Sequence, residues 1–197
     1  MSKDPLELKQ YIRTVEDFPI DGITFRDITS LIETPKAFVK TCDSLTHVTK
    51  DFGADIVVSI ESRGFIFAGT IARDLNLPFV LARKPGKLPN ETYKKSFDLE
   101  YGSTSIEIQK NTEIKNNQKI IIVDDLIATG GTAIACAELI TENFNVKNSD
   151  ILILSIINLL ELGGGKLIKE KGYLSVSYTH LRAHETLRYL VCRLLLE

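Results

Sequence analysis

Residues 120–132 read IIIVDDLIATGGT. Four aliphatic residues, Ile120 to Val123, run without a polar break, as a parallel strand buried on both faces would. Asp124 and Asp125 close that strand, and a turn containing Gly130 and Gly131 opens the helical pattern TAIACAELITENF. In an open α/β sheet, ligands bind at the carboxyl ends of the strands. The backbone N–H groups of Ala128, Thr129, Gly130, Gly131 and Thr132, together with the start of a helix, make a cradle for a phosphate. The glycines let main chain approach oxygen atoms with no Cβ in between, and Thr129 and Thr132 add hydroxyl donors. The turn lacks the GK[ST] of a nucleoside triphosphate loop and is not GxGxxG. Asp124 and Asp125 stand one turn from the cradle, where the diol of a ribose 5-phosphate would lie. DD or TGG alone would be an acidic strand end or a capping turn; the thirteen residues together specify a site.

The chain around this string alternates strands and helices. Residues 54–60, ADIVVSI, form a second buried strand. The turn ESRG, the helical FIFAGTIARDL and the strand PFVLAR complete a βαβ unit with it. DILILSIIN, residues 150–158, is a third buried strand. The pattern predicts an α/β fold with a mainly parallel sheet flanked by helices. Upstream, Pro35 follows Thr34 at a helix start, and Phe38, Cys42, Leu45, Val48 and Phe52 recur at helical spacing. Residues 5–14 are read as a short amphipathic helix, and 17–29 as irregular chain broken by Pro19 and Gly22. Residues 84–101 are polar and carry two prolines, so they predict a long functional loop. TSIEIQK, residues 104–110, alternates as a half-exposed strand does.

Composition narrows the classes. The chain has 197 residues, 24 basic and 26 acidic side chains, and 44% apolar residues. That is one mid-sized domain with a real core. A net charge of −2 argues against a nucleic-acid surface. No apolar run reaches membrane-spanning length and no signal core opens the chain, so a cytoplasmic protein is expected. Cys42, Cys136 and Cys192 have no metal-ligand spacing and are expected to be reduced thiols. His47, His180 and His184 form no cluster with them, so no protein-held metal is expected.

The string at 120–132 resembles the phosphoribosyl pyrophosphate (PRPP) motif of the type I phosphoribosyltransferases. FPIDGITFRDIT, ESRGF, ARKPGKLP and LEYGSTSIEIQ stand in the order and spacing of the branch that acts on adenine. The resemblance covers roughly residues 17–172. It implies a type I phosphoribosyltransferase fold with an N-terminal hood over the base, and transfer of the 5-phosphoribosyl group from PRPP to adenine, giving AMP and pyrophosphate. By it, Asp124 and Asp125 bind the ribose hydroxyls, and Ala128 to Thr132 bind the 5′-phosphate. Phe25 stacks on adenine while the main chain of Thr24 and Arg26 reads its edge. Arg63, Arg83, Lys84 and Lys87 grip pyrophosphate. Glu100 approaches N7, and Tyr101 closes the site. The resemblance also implies Mg2+ held mainly by PRPP oxygens, a homodimer, and a cis peptide before Arg63, at Ser62–Arg63. Leu160 stands where relatives often carry a proline or a small polar residue, at the lower wall of the purine pocket.

Other readings remain open at this point: the same chemistry on hypoxanthine, guanine, xanthine or orotate, or a PRPP-binding regulator without catalysis. The FRDIT hood and the EYG segment speak against the first. The absence of a helix-turn-helix pattern ahead of the domain speaks against the second. The last twenty residues hold three arginines, no lysine and two of the three histidines, whereas the chain before them has 16 lysines and 5 arginines. We read 1–177 as the phosphoribosyltransferase domain and 178–197 as an atypical tail, foreign to the fold, with LSVSY supplying a last strand at the junction.

Overall fold

The computed structural model describes residues 4–18, 21–22, 24–99 and 102–181. Nine strands and five helices are present among them. Strands β1 (Arg13–Val15) and β2 (Phe25–Asp27) form an antiparallel ribbon, with Val15 opposite Phe25. Helices α1 (Thr29–Glu33) and α2 (Pro35–Phe52) follow. Next come β3 (Ile56–Ile60), α3 (Gly64–Leu75) and β4 (Phe79–Ala82). An antiparallel hairpin of β5 (Thr92–Leu99) and β6 (Gly102–Gln109) precedes β7 (Ile120–Ile127). Then α4 (Gly131–Phe144), β8 (Ile151–Leu159), α5 (Gly164–Glu170) and β9 (Leu174–Leu181) complete the order. The five-stranded sheet runs β4-β3-β7-β8-β9, parallel throughout.

A strand period of two explains how unbroken apolar runs serve two cores. Ile56, Val58, Ile120, Ile122, Ile151 and Ile153 face one layer, which includes α4, α5 and the hairpin. Val57, Ile121, Val123, Leu152 and Leu154 face the other, with α2 and α3. Helix α3 leaves β3 toward the second layer and α4 leaves β7 toward the first. The two strands are neighbours in the sheet, so the chain separates to opposite faces between their carboxyl ends. That is the topological switch point, where a crevice opens.

Four sequence expectations are corrected. Residues 5–14 are a 3-10 turn, Leu8–Tyr11, followed by β1. The Asp4 carboxylate accepts the N–H groups of Leu8 and Lys9, both at 2.9 Å, and Glu7 takes φ 54°, which prevents a longer helix. Residues 17–29, expected irregular, contain β2. The long loop at 84–101 is only partly a loop, because Thr92–Leu99 is a strand: Tyr93 packs edge-on to Phe144 at 5.3 Å, and Lys95 reaches Glu138 and Glu142 on α4. Finally, the sheet runs through the composition break at Tyr178. In β9, Thr179 pairs with Ile157 and Leu181 with Leu159, and the Tyr178 hydroxyl donates to the Ser44 carbonyl at 2.7 Å. Residues 182–197 lie outside the described residues.

Cutting the chain after Ser177 removes buried Thr179 and Leu181 and half of β9's ladder. Relative to a chain cut after Leu181, it should lose about 3–5 kcal/mol from apolar burial and hydrogen bonds. Thermal melts of the two truncations compare them directly. Equal melting temperatures would mean that Tyr178–Leu181 adds nothing to the sheet.

Candidate active site

The crevice at the switch point is a cleft of about 460 Å3, walled by Val15, Phe18 and Phe25 of the hood, Ile60 to Arg63 at the end of β3, Ala82 to Lys84 at the end of β4, Phe97 and Thr104 to Ile106 of the hairpin, and Thr132 of α4. Beneath it lies the acid pair on β7. Asp124 and Asp125 are each only 1% exposed. The Asp125 N–H donates to Asp124 Oδ1 at 2.8 Å, and Arg63 Nε lies 3.2 Å from Asp125 Oδ2. Strand β7 continues two residues past the acids, to Ile127, so the carboxylates occupy the end of the ladder rather than the loop beyond it.

Arg63 owes its place to Gly64. A Cβ on Gly64 would stand 2.8 Å from both Ser59 Oγ and the Val123 carbonyl oxygen, so only glycine lets α3 begin this close to β7. The Arg63 guanidinium also lies over the Phe25 ring, 5.3 Å from its centroid, and Phe18 meets Phe25 edge-on at 5.2 Å. Arg63 therefore spans from the hood to the acid pair. The Arg26 side chain turns away to donate to Thr14 Oγ1 on β1, leaving its main chain at the hood's inner edge. The cis peptide is Glu61–Ser62, one bond earlier than Ser62–Arg63, where the resemblance placed it.

The basic loop after β4 is organised by two buried acids. Arg83 donates Nε and Nη2 to Glu61 at 3.0 and 2.8 Å, and the Lys84 N–H adds a third bond at 3.0 Å. Burial pushes the Glu61 carboxyl up, but the Arg83 and Lys84 hydrogen bonds and the Arg83 charge outweigh it and hold the group below its ordinary value. Glu107 accepts the Gly86 N–H at 3.3 Å, and main-chain bonds of 2.9 and 2.8 Å tie Arg83 to Glu107. Arg83 Nη1 reaches the Lys87 carbonyl at 3.1 Å. The residues from Arg83 to Lys87 are thus set in a fixed turn, with Arg83 and Lys84 on the cleft wall.

Between β7 and α4, Ala128, Thr129 and Gly130 turn the chain, with Gly130 at φ 83° as the cap of a fourteen-residue helix. The structure thus gathers Phe25, Arg63, Arg83, Lys84 and Thr132 on one cleft and sets Asp124 and Asp125 under it. Thr24, Arg26, Lys87 and Ala128 to Gly131 flank the cleft without lining it. Glu100 and Tyr101 lie outside the described residues, between Leu99 and Gly102, the last pair of the hairpin. Leu160 is 39% exposed on a 3-10 turn and does not line the cleft. Sequence reasoning missed Glu61, Glu107, Phe18 and Phe97. Glu61 had a signal, an acid directly after an almost wholly apolar strand; the others depend on tertiary pairing. Cys42 and Cys136 are buried, and burial pushes both thiols up, so neither is a nucleophile.

Residues 29–176 match the family model described as the phosphoribosyl transferase domain. The chain is 44% identical over 168 residues to the adenine phosphoribosyltransferase of Pelagibacter ubique, covering 85% of this chain and 94% of that one. Among solved structures, the adenine phosphoribosyltransferase of Thermoanaerobacter pseudethanolicus aligns with a TM-score of 0.80 at 39% identity, over 89% of this chain and 98% of that one. The Giardia lamblia enzyme, solved with 9-deazaadenine, aligns with a TM-score of 0.83 at 35% identity, over 93% and 99%.

Glu61→Gln should loosen the turn by removing the charge that Arg83 faces, costing about 1.5–3 kcal/mol at neutral pH. A carboxyl held below its unfolded value stabilises the fold above that value, and the benefit disappears as pH falls through the folded one. The melting-temperature gap between wild type and Glu61→Gln should therefore narrow as pH drops below 4.5, the ordinary glutamate value. A gap that stays constant with pH would mean that the ion pair contributes nothing. The fold, the motif order and these relatives agree, and the chain belongs to the adenine phosphoribosyltransferase family.

Proposed function

We propose that the protein transfers the 5-phosphoribosyl group of PRPP to adenine, releasing pyrophosphate and AMP. The observation that carries this reading is one crevice in which the aromatic ring of Phe25, the cations Arg63, Arg83 and Lys84, and Thr132 at the start of α4 converge. In the proposed complex the turn Ala128 to Thr132 and the start of α4 hold the 5′-phosphate. Asp124 and Asp125 accept the ribose hydroxyls. Phe25 stacks on adenine, and the main chain of Thr24 and Arg26 reads its Watson–Crick edge, where N6 donates and N1 accepts. Arg63, Arg83, Lys84 and Lys87 face the diphosphate.

The reaction breaks the C1′–O bond, and its electron pair leaves on pyrophosphate. Adenine N9 supplies the pair for the new N9–C1′ bond. Glu100 takes the proton from N7, and returns it in the reverse direction. Cations already fixed around the leaving group stabilise charge as it develops. Both reactants are anchored, so the step becomes effectively unimolecular. Magnesium would enter with PRPP and neutralise diphosphate charge. Among the described residues no group of three His, Cys, Asp or Glu side chains is placed to hold a metal ion. Exposed Ile66 and Phe79, the latter against Phe65, suit a second copy, and we read the assembly as a homodimer. Phosphorylated substrates fit a cytoplasmic enzyme.

AMP formation from PRPP and magnesium with a panel of bases tests the reading. Adenine should be consumed and hypoxanthine and orotate left. Equal turnover of hypoxanthine would overturn the choice of base. Asp124→Asn and Asp125→Asn should each cost about 1.5–3 kcal/mol in kcat/KM for PRPP, roughly 10- to 100-fold; unchanged kinetics in both would place the ribose elsewhere.

The hairpin tip is proposed to close over PRPP and exclude water, beyond the fixed turn at Arg83 to Lys87. Trypsin should cut at Lys87 or Lys94 more slowly when PRPP and magnesium are present. Glu100→Gln should lower kcat more than it raises KM, as expected of a contact made only in the transition state. Equal cutting rates together with a fully active variant would reduce this segment to an ordinary connection.

A further inference from the structure

Behind the turn that follows β7 stands a residue that no ligand would touch. Gly164, the first residue of α5, donates its N–H to the Ala128 carbonyl at 3.1 Å. A Cβ on Gly164 would lie 2.2 Å from the Ala128 oxygen, 2.6 Å from the Gly130 nitrogen and 2.7 Å from the Thr129 carbonyl carbon. All three atoms are main chain, so no side chain can swing aside. The contact is reciprocal, because a Cβ on Gly130 would meet the Gly164 oxygen at 3.0 Å and its Cα at 3.1 Å. Two stretches of bare backbone therefore lie against each other, and the side of the turn away from the cleft is filled by α5.

Helix α5 is itself held. Ile168 is fully buried in the core layer that includes α4. The Gly163 N–H donates to the Leu160 carbonyl at 3.2 Å, and a Cβ on Gly165 would stand 2.5 Å from Asn158 Nδ2 on β8. Gly163 is the left-handed position, at φ 70°, whereas Gly164 has an ordinary helical backbone. The need for glycine at 164 is thus one of space alone.

We propose that Gly164 is a positioning residue for the phosphate cradle: the missing side chain lets α5 seat Ala128 to Thr132 in the form that directs their N–H groups at an anion. The inference rests on the reading of that turn as the 5′-phosphate site. An added methyl must reach at least the 3.4 Å of ordinary contact, so the turn has to move by about 1 Å, a displacement that costs roughly 10- to 100-fold where oriented groups act together.

The probe is ribose 5-phosphate, with its dissociation constant measured by calorimetry on the full chain and checked against PRPP and adenine kinetics. Gly164→Ala should weaken ribose 5-phosphate and raise KM for PRPP by roughly 10- to 100-fold, with KM for adenine unchanged. Gly53→Ala is the matched control. It forces alanine into φ 70° at the end of α2, with only Lys119 Nζ nearby, and should lower the melting temperature while keeping ribose 5-phosphate affinity. A second measurement needs no variant: in wild type, ribose 5-phosphate should slow exchange of the Gly164 amide hydrogen. Wild-type affinity in folded Gly164→Ala, or exchange at Gly164 indifferent to the ligand, would overturn the inference while leaving the phosphate site in place. Failure of the wild type to bind ribose 5-phosphate would overturn the site and the inference together.

Discussion

Two carboxylates stand near the end of a strand that is buried along its whole length. Strand β7 pairs with β3 on one side and β8 on the other, and every residue of it is buried. Buried polar groups in such a layer are costly unless they are bonded. Their satisfaction organises the site around them. Arg63 must reach Asp125, so α3 must begin against β7, so residue 64 must be glycine. Ser59 Oγ donates to the Val123 carbonyl at 3.0 Å and ties the ends of β3 and β7 together beside this contact. Once Arg63 is placed, its upper face is available to Phe25, and the hood acquires a floor.

The neighbouring cations pose the opposite problem. Arg83 and Lys84 stand side by side on the cleft wall, where like charges repel. Glu61 and Glu107 offset that repulsion from within the protein, and they do so through the fork of Arg83 and through main-chain N–H groups rather than through the lysine ammoniums. A turn set by acids from behind keeps its cations directed outward before any anion arrives. Preorganisation of this kind costs little at the moment of reaction.

How much of this the sequence showed depends on whether the pattern was local. Strands β3, β7 and β8 are mostly apolar runs, and the turn after β7 has a distinctive composition, so both were legible. Strand β5 was not. Its inward stripe is Tyr93, Lys95 and Phe97, and the lysine breaks the alternation that marks a strand. The structure resolves the exception through α4: Glu138 and Glu142 lie one helical turn apart and both meet the Lys95 ammonium. That pairing joins residues more than forty positions apart, and no window of sequence contains it. The end of β9 was hidden for a different reason. Composition changes at Tyr178, but a strand is defined by its neighbour, and β8 extends far enough to pair through Leu181. Gly164 escaped notice because its requirement is a close approach of main chain that leaves no mark except the glycine itself.

Helix α4 links these parts. Its first turn continues the phosphate-type cradle, and Gly164 at the start of α5 packs by backbone contact against the turn Ala128 to Gly130 that caps it. Its later turns hold the hairpin through Phe144, Glu138 and Glu142. The two attachments differ in kind. Glycine against glycine allows no rotamer change, so that end of the helix is set by sterics alone. Lys95 is a long side chain reaching two acceptors, and Glu138 is shared with Lys171 at 3.1 Å, so the hairpin's hold can be exchanged among partners without losing charge balance. One helix thus presents a rigid seat at its start and an adjustable anchor further along. A site that must fix one anion while admitting a second reactant needs both, and the division runs along α4 from the capping turn at Gly130 to the acids at Glu138 and Glu142.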